Sequence, residues 1–410
     1  MLVAHACSVA VLAGLLACGN DITPPSEPLP TPTTPAPPAM TVLGRGDVAP
    51  QRITAEVAVR GTTAFTTTVG NSASAGSVFH IWDVSGNVPT LVDSVKVPFA
   101  TTLGDVAVSD DGALLTVATE HAGGSLLVYG LADPRRPTLL SRFTSANTAA
   151  GVHTAEIGRV NGRLYAFLSV DESASLPSRL VVVDLDTPTA PVEVLVRAIG
   201  RPFVHDTFVR DGLLYLALWD DGVAIWDIGG GGRGGSVSAP VELGRVQTAN
   251  GNVHNVWWLK DPVTNITRYA FIGEESESAF LTSSSGDVHV VDVSTPSAPR
   301  EVAYFTVPGA GAHNFSVDEA SGILYAAYYN GGVRALDVRG DLGTCSASQK
   351  SSPRGSGALC DLRLMGREIG VGLLDRPTSV YVWGVQYIDG AVYASDMLNG
   401  LWKLRALSRS

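Results

Sequence analysis

Four of the eight histidines occupy one equivalent place in a repeating chain: His153 in GVHTAEI, His205 in FVHDTFV, His254 in NVHNVWW and His313 in GAHNFSV. Imidazole is a good ligand for iron, copper and zinc, and nearby carboxylates fix ring orientation. Four rings gathered around one axis would hold such a transition metal (Fe, Cu or Zn) with coordination positions left open. That is the chemistry of a metal-dependent, redox-capable enzyme. A second reading of the same spacing is inheritance: one histidine of an ancestral unit, bonded to the backbone of the neighbouring unit, copied along the chain without any ligand. Three of seven units lack the histidine, which counts against simple copying. At the level of sequence both readings stand.

The positions around this row form a second candidate set. Aligned on the Asp-Gly turn that follows, Thr54, Asp105 and Trp383 take the histidine's place in the remaining units. Loops expected on the same face carry Glu120 beside His121, Asp171 beside Glu172, Asp220 beside Asp221, Glu274 beside Glu275, Asn330 after Tyr329, and Asp396. Asp105, Glu120, Asp171, Asp220, Glu274, Asn330, Trp383 and Asp396 are therefore the expected ligand-binding face. Asp and Asn also favour turns for conformational reasons, so each residue has a plain structural alternative. The long loop GEESESAFLTSSSGD at 273–287 is either a lid over that face or a tolerated insertion.

What must position these residues is a repeated strand unit. An aliphatic run, an Asp and a Pro-containing turn recur as VFHIWDVSGNVP, LLVYGLADPRRP, LVVVDLDTPTAP, VAIWDIGG, VHVVDVSTPSAP and VRALDVRG, with a weaker LWKLRAL near the end. Around each copy lie short β-branched and aromatic runs separated by Gly, Asp and Pro turns, four per unit. No long segment keeps a helical period with caps. The pattern predicts an all-β, seven-bladed β-propeller of four-stranded blades. The last unit ends in KLRALSRS without a fourth strand, while MTVLGRGDV at 40–48 matches the fourth-strand phrase PVELGRV. An N-terminal strand is thus expected to close the ring. The third-strand phrases LVVVDL and VHVVDV resemble the LVIVD-repeat family of bacterial β-propeller lipoproteins, with Gly130 and Leu404 replacing the Asp in units two and seven. The resemblance covers the chain from about residue 41 and implies architecture more than activity.

The ends suggest a compartment. MLVAHACSVAVLAGLLAC is an apolar run of signal-peptide length, and LLAC resembles a lipobox with Cys18 as the lipidated residue. The expected layout is a signal peptide over 1–17, a Pro-rich tether over 18–40 and the propeller over 41–410. Gly19 after Cys18 fits sorting to the outer membrane. Cys345 and Cys360 flank a polar loop and are expected to form a disulfide, as befits an exported chain. A net charge of −11 excludes nucleic acid or an anionic membrane surface as the main partner. GGGGRGG at 229–235 lacks the Lys and Ser/Thr of a phosphate-binding loop, and no serine-hydrolase elbow or zinc-protease motif is present. The expected protein is a monomeric, lipid-anchored cell-envelope propeller that binds an envelope protein, a glycan or a small molecule through its loop face. A metal-dependent enzyme is the alternative.

Overall fold

In the computed structural model, residues 36–48, 52–70, 75–121, 123–200, 203–352, 357–375 and 378–408 are described. The expected signal peptide, Cys18 and most of the tether lie outside them. Seven four-stranded antiparallel blades follow one another along the chain as a propeller, and the sheet of blade five is extended to six strands by Leu359–Asp361 and Lys350–Ser351. Their innermost strands include Ile53–Arg60, Val152–Val160, Val253–Trp258 and Val382–Ile388.

The burial of each strand follows from its place in the blade. Second and third strands such as Leu213–Ala217 and Val223–Asp227 are buried at every position, because a neighbouring blade covers each face. The outermost strand Thr90–Lys96 is exposed at all but one residue. Apolar side chains therefore gather between blades rather than at the axis. Phe65, Phe79 and Ile81 of blade one meet Leu115, Val117 and Leu127 of blade two. Corresponding clusters fill the following interfaces, and Val57, Trp82, Tyr393 and Leu401 join blade seven to blade one. The axis is left to polar residues.

Ring closure uses both ends of the chain. Val42–Gly46 pairs antiparallel with Gly400–Arg405 as the outer strand of blade seven. The compact unit starts somewhat before the expected end of the tether, at Ala36. Met40 is buried, its N–H donates to Val371 O at 2.8 Å, and the Val371 N–H donates to Pro38 O at 3.0 Å. The expected Cys345–Cys360 disulfide is present. It staples an excursion from blade six whose strand Leu359–Asp361 lies parallel to Arg300–Phe305, covering the open edge of blade five.

Two features were not legible in the repeat. The innermost strands of blades two, four and six start only at Val106, Asp206 and Phe315, and are shorter than the 9-residue Val152–Val160 of blade three. The long loop of blade five forms a hairpin, Ser276–Ala279 with Ser283–Ser285, and Leu281 at its tip packs with Ile53, Tyr329, Tyr381 and Met397 of blades one, six and seven. The hairpin thus crosses part of the channel mouth.

Deleting residues 41–46 should lower stability by about 3–5 kcal/mol, since each ladder hydrogen bond contributes about 1 kcal/mol and a new strand edge is exposed. Chemical denaturation of the deletion variant measures this, and an unchanged midpoint would show that closure does not depend on the strand.

Candidate metal centre

The histidine row owes its position to a defect in the strands that carry it. In blade three Val152 pairs with Val170 and Thr154 with Ser169, so His153 is an extra residue between two ladder pairs. The same bulge isolates His254 between Val253 and Asn255, and Trp383 between Val382 and Gly384. His205 and His313 stand just ahead of their regular strands instead of inside them, held by N–H bonds to Ala217 O at 2.8 Å and Ala327 O at 2.9 Å. A bulge re-aims a side chain that strand alternation would turn into a blade interface. Here the imidazoles turn toward the channel.

The rings follow one another in chain order around the mouth, edge-on or tilted to their neighbours. Centroids are 4.3 Å apart for His153 and His205, 4.1 Å for His205 and His254, and 3.9 Å for His254 and His313. The Trp383 ring continues the row 4.2 Å from His313. Three of the four Nδ1 atoms face backbone or carboxylate. His205 Nδ1 lies 3.1 Å from His254 O, His313 Nδ1 lies 2.7 Å from Trp383 O, and His153 Nδ1 lies 2.9 Å from Glu120 Oε1. These oxygens only accept, so each of these three Nδ1 atoms carries a proton, and the neutral rings of His205 and His313 present a bare lone pair at Nε2; His254 Nδ1 has no hydrogen-bond partner.

His153, protonated on both nitrogens, offers its Nε2–H to the lone pair of His205. His153 Nε2 and His205 Nε2 are 2.9 Å apart. His205, His254 and His313 place Nε2 at 3.9, 3.6 and 3.9 Å from the carboxylate of Glu275, and His313 Nε2 has no hydrogen-bond partner. Ligand atoms of His205, His254 and Glu275 all lie within 4.8 Å of one another. Two donors bound to one ion at about 2.1 Å stand about 3.0 Å apart at a right angle and about 3.4 Å apart at a tetrahedral angle. The His153–His205 spacing is close to the right-angle value, while those to Glu275, at 3.6–3.9 Å, lie just beyond the tetrahedral one and are too long for hydrogen bonds. Burial, reinforced by the neighbouring imidazoles, holds His205, His254 and His313 well below the usual histidine range, so they are neutral and ligand-ready. His153 differs. Burial would lower it, but the Glu120 carboxylate, with Asp171 and Glu275, raises it to about 9.

A cavity of about 260 Å³ opens beside the row, between Gly70, Glu120, His121 and Trp383. Its floor is acidic: Glu56, Asp105 and Asp206 also line a channel of about 410 Å³ that continues along the axis. Burial, with the charge of Asp105, pushes Glu56 up to about 8 despite hydrogen bonds from the Val57 N–H and the Asn314 amide. Burial likewise raises Asp206 to about 7.

Of the residues expected on the binding face, Asp105, Glu120, Asp171 and Trp383 reach the mouth. The others do not. Glu274 is buried, accepting from the Asp287 N–H at 3.1 Å and lying 3.4 Å from His289 Nε2, and its neighbour Glu275 faces the histidines instead. Asp396 is fully buried and accepts from Trp402 Nε1 at 2.9 Å and the Tyr381 N–H at 3.0 Å. Asp220 lies on a separate shallow surface beside Gln247 and Asn250. Asn330 braces the hairpin through Ser284 at 2.6 Å. In blade one the bulge presents Glu56 rather than Thr54 to the cavity. The glycine-rich loop wraps one of its own carboxylates: Asp227 accepts from the N–H groups of Gly229, Gly231, Arg233 and Gly235.

A carboxyl raised in the folded state keeps a proton that the unfolded chain has already lost, so it makes stability fall as pH rises between the two values. For Glu56 that window runs from 4.5 to about 8. Glu56→Gln should therefore flatten the loss of stability across that window. Urea denaturation at a series of pH values measures it, and parallel curves for the two proteins would mean that Glu56 is already ionised in the native state.

Comparison with known proteins agrees with this architecture. The LVIVD repeat family matches residues 279–307. No curated protein matches the chain. Among solved structures, Sqt1 of Saccharomyces cerevisiae superposes with a TM-score of 0.55 at 9% identity, over 91% of this chain and 87% of that one. The β-propeller domain of Cps50 (Swd1) from Myceliophteria thermophila gives 0.55 at 12% identity, over 87% and 98%. At such identities the likeness is one of fold. With seven four-stranded blades around a polar channel, the chain is a seven-bladed β-propeller carrying an LVIVD repeat.

Proposed function

We propose that this protein is a binding propeller whose channel mouth holds a transition-metal ion on His205, His254, His313 and Glu275, with His153 Nε2 as a further donor. One observation carries the reading: ligand atoms of the buried, neutral His205 and His254 and of Glu275 lie within 4.8 Å of one another, and the unpartnered His313 Nε2 lies 3.9 Å from the same carboxylate. Neutral rings in that arrangement repel through their lone pairs unless a cation or a proton lies between them. Donors of this kind suit iron, copper or zinc. The bound ion would supply Lewis-acid or redox chemistry to a small molecule in the adjoining cavity.

The chain's own residues have definable parts in that task. Backbone carbonyls of His254 and Trp383 fix the tautomers of His205 and His313. The Tyr329 hydroxyl donates to Glu275 and holds its carboxylate toward the rings. Glu56 keeps a proton at the cavity floor. Docking of an envelope protein or a glycan on the loop face has less support, because Glu274 and Asp396 are engaged in structural hydrogen bonds. We place the protein in the cell envelope, lipid-anchored through Cys18. The lipobox-like LLAC and the Cys345–Cys360 disulfide support an exported chain.

Full-length protein incubated with Fe²⁺, Cu²⁺ or Zn²⁺ should retain at least about one ion per chain after dialysis, and His254→Ala should lose it while thermal unfolding stays cooperative. Elemental analysis reads the content, and wild-type protein free of metal after all three incubations would remove the proposal. For the anchor, Cys18→Ala should move the protein from the membrane fraction to the soluble one. An unchanged distribution would rule out lipidation at that residue.

A further inference from the structure

His153 is set for coordination on both sides of its ring. While Nε2 meets His205, Nδ1 lies 2.9 Å from Glu120 Oε1 and 3.7 Å from Asp171 Oδ1. One ligand atom from each of Glu120, His153 and Asp171 lies within 4.8 Å of the other two. Their side chains are 19, 25 and 27% exposed, so solvent reaches the open side of the cluster. The two carboxylates come from equivalent places, each just after the second strand of its blade, in blades two and three. Gly151 makes the approach possible. Its φ is +144°, and a Cβ there would stand 2.6 Å from Asp171 Oδ2.

One carboxylate is enough to orient a ligating histidine. Here two converge on one nitrogen, and the His121 imidazole lies on the rim of the same cavity. The Nδ1 proton of His153 thus sits between two carboxylates, in the place that a cation would take over.

We propose that Glu120, His153 and Asp171 form a second position for a divalent ion, richer in oxygen donors than the first, and that His153 joins the two ions through its two ring nitrogens. The inference rests on the metal reading of the preceding subsection. On loading, the imidazolium of His153 releases both ring protons to solvent, Nδ1 binds the outer ion and Nε2 the inner one. Water completes the outer shell, as the open side of the cluster permits. The His153–His205 spacing of 2.9 Å is then the distance between two adjacent ligands of the inner ion, and the first position is completed by sharing a ligand with the second.

The test uses full-length protein loaded with Cu²⁺, alongside a Glu120→Gln/Asp171→Asn variant and the His254→Ala variant. Elemental analysis should give about two ions per chain for wild type and about one for the double variant. Two Cu²⁺ ions sharing one imidazole couple magnetically, so the integrated electron paramagnetic resonance signal of wild type should fall below that of two separate ions. About one ion in both wild type and the double variant, lost only in His254→Ala, would overturn the second position and leave the first standing. No ion in any of them would remove both. Two ions with a full, uncoupled signal would overturn the sharing of His153.

Discussion

Seven blades can bury their apolar faces only against each other, and this pushes every innermost strand to the wall of a narrow axial channel. Strand alternation then permits only alternate side chains to face the axis. The extra residue in the first strands of blades three, five and seven breaks that alternation at one level of the ring. It brings His153, His254 and Trp383 round to the mouth, and backbone bonds ahead of the strands bring His205 and His313 to the same level. Two rings of the row are then tied to the next blade, as Nδ1 of His205 and of His313 bonds its carbonyl. The metal-ready face is a consequence of that tie: fixing the proton at Nδ1 leaves Nε2 bare.

The two readings open at the level of sequence therefore describe two sides of one ring. Bonding to the neighbouring blade is real and uses Nδ1. Convergence on Glu275 is also real and uses Nε2. A purely structural row would need only the first. The second places buried lone pairs opposite a carboxylate, which opposes folding unless another group answers it. Beneath them, burial keeps a proton on Glu56 at neutral pH and brings Asp206 up to about 7, so the axis holds part of its charge as bound protons instead of fixed ions. Such a site can take up a cation by releasing protons rather than by rebuilding its walls.

Much of the fold was legible because repeats state it seven times over. The blade phrase, the Cys345–Cys360 pair and the equivalence of the four histidines all follow from residue order alone. The collar of acids was not, for a reason of parity. Glu274 ends a strand and turns inward to His289, while Glu275, one residue on, faces the axis. A one-residue step exchanges the two faces of a strand, and nothing in GEESES marks where the strand stops. The same ambiguity hid Glu56, since the blade-one bulge skips two residues and displaces Thr54 from the cavity. Asp396 reads like its neighbours in the repeat, yet the Trp402 indole and three further donors hold it inside blade seven.

The hairpin of blade five links these elements. Glu275 stands at its base, and Leu281 at its tip is seated among Ile53, Tyr381 and Met397 on the far side of the mouth. Tyr329 bonds Glu275 and packs 4.5 Å from Tyr381, joining the carboxylate to the apolar cluster that anchors the tip. The carboxylate is thus supplied by a segment clamped at both ends, and the histidines by four consecutive blades. An ion held by all of them would bind only the closed ring, so its affinity would add directly to the stability of closure. In a fold whose ends meet through the short strand Val42–Gly46, a ligand set spanning blades three to six together with the strap ties the ring at a second place. It does so across the channel rather than along the rim.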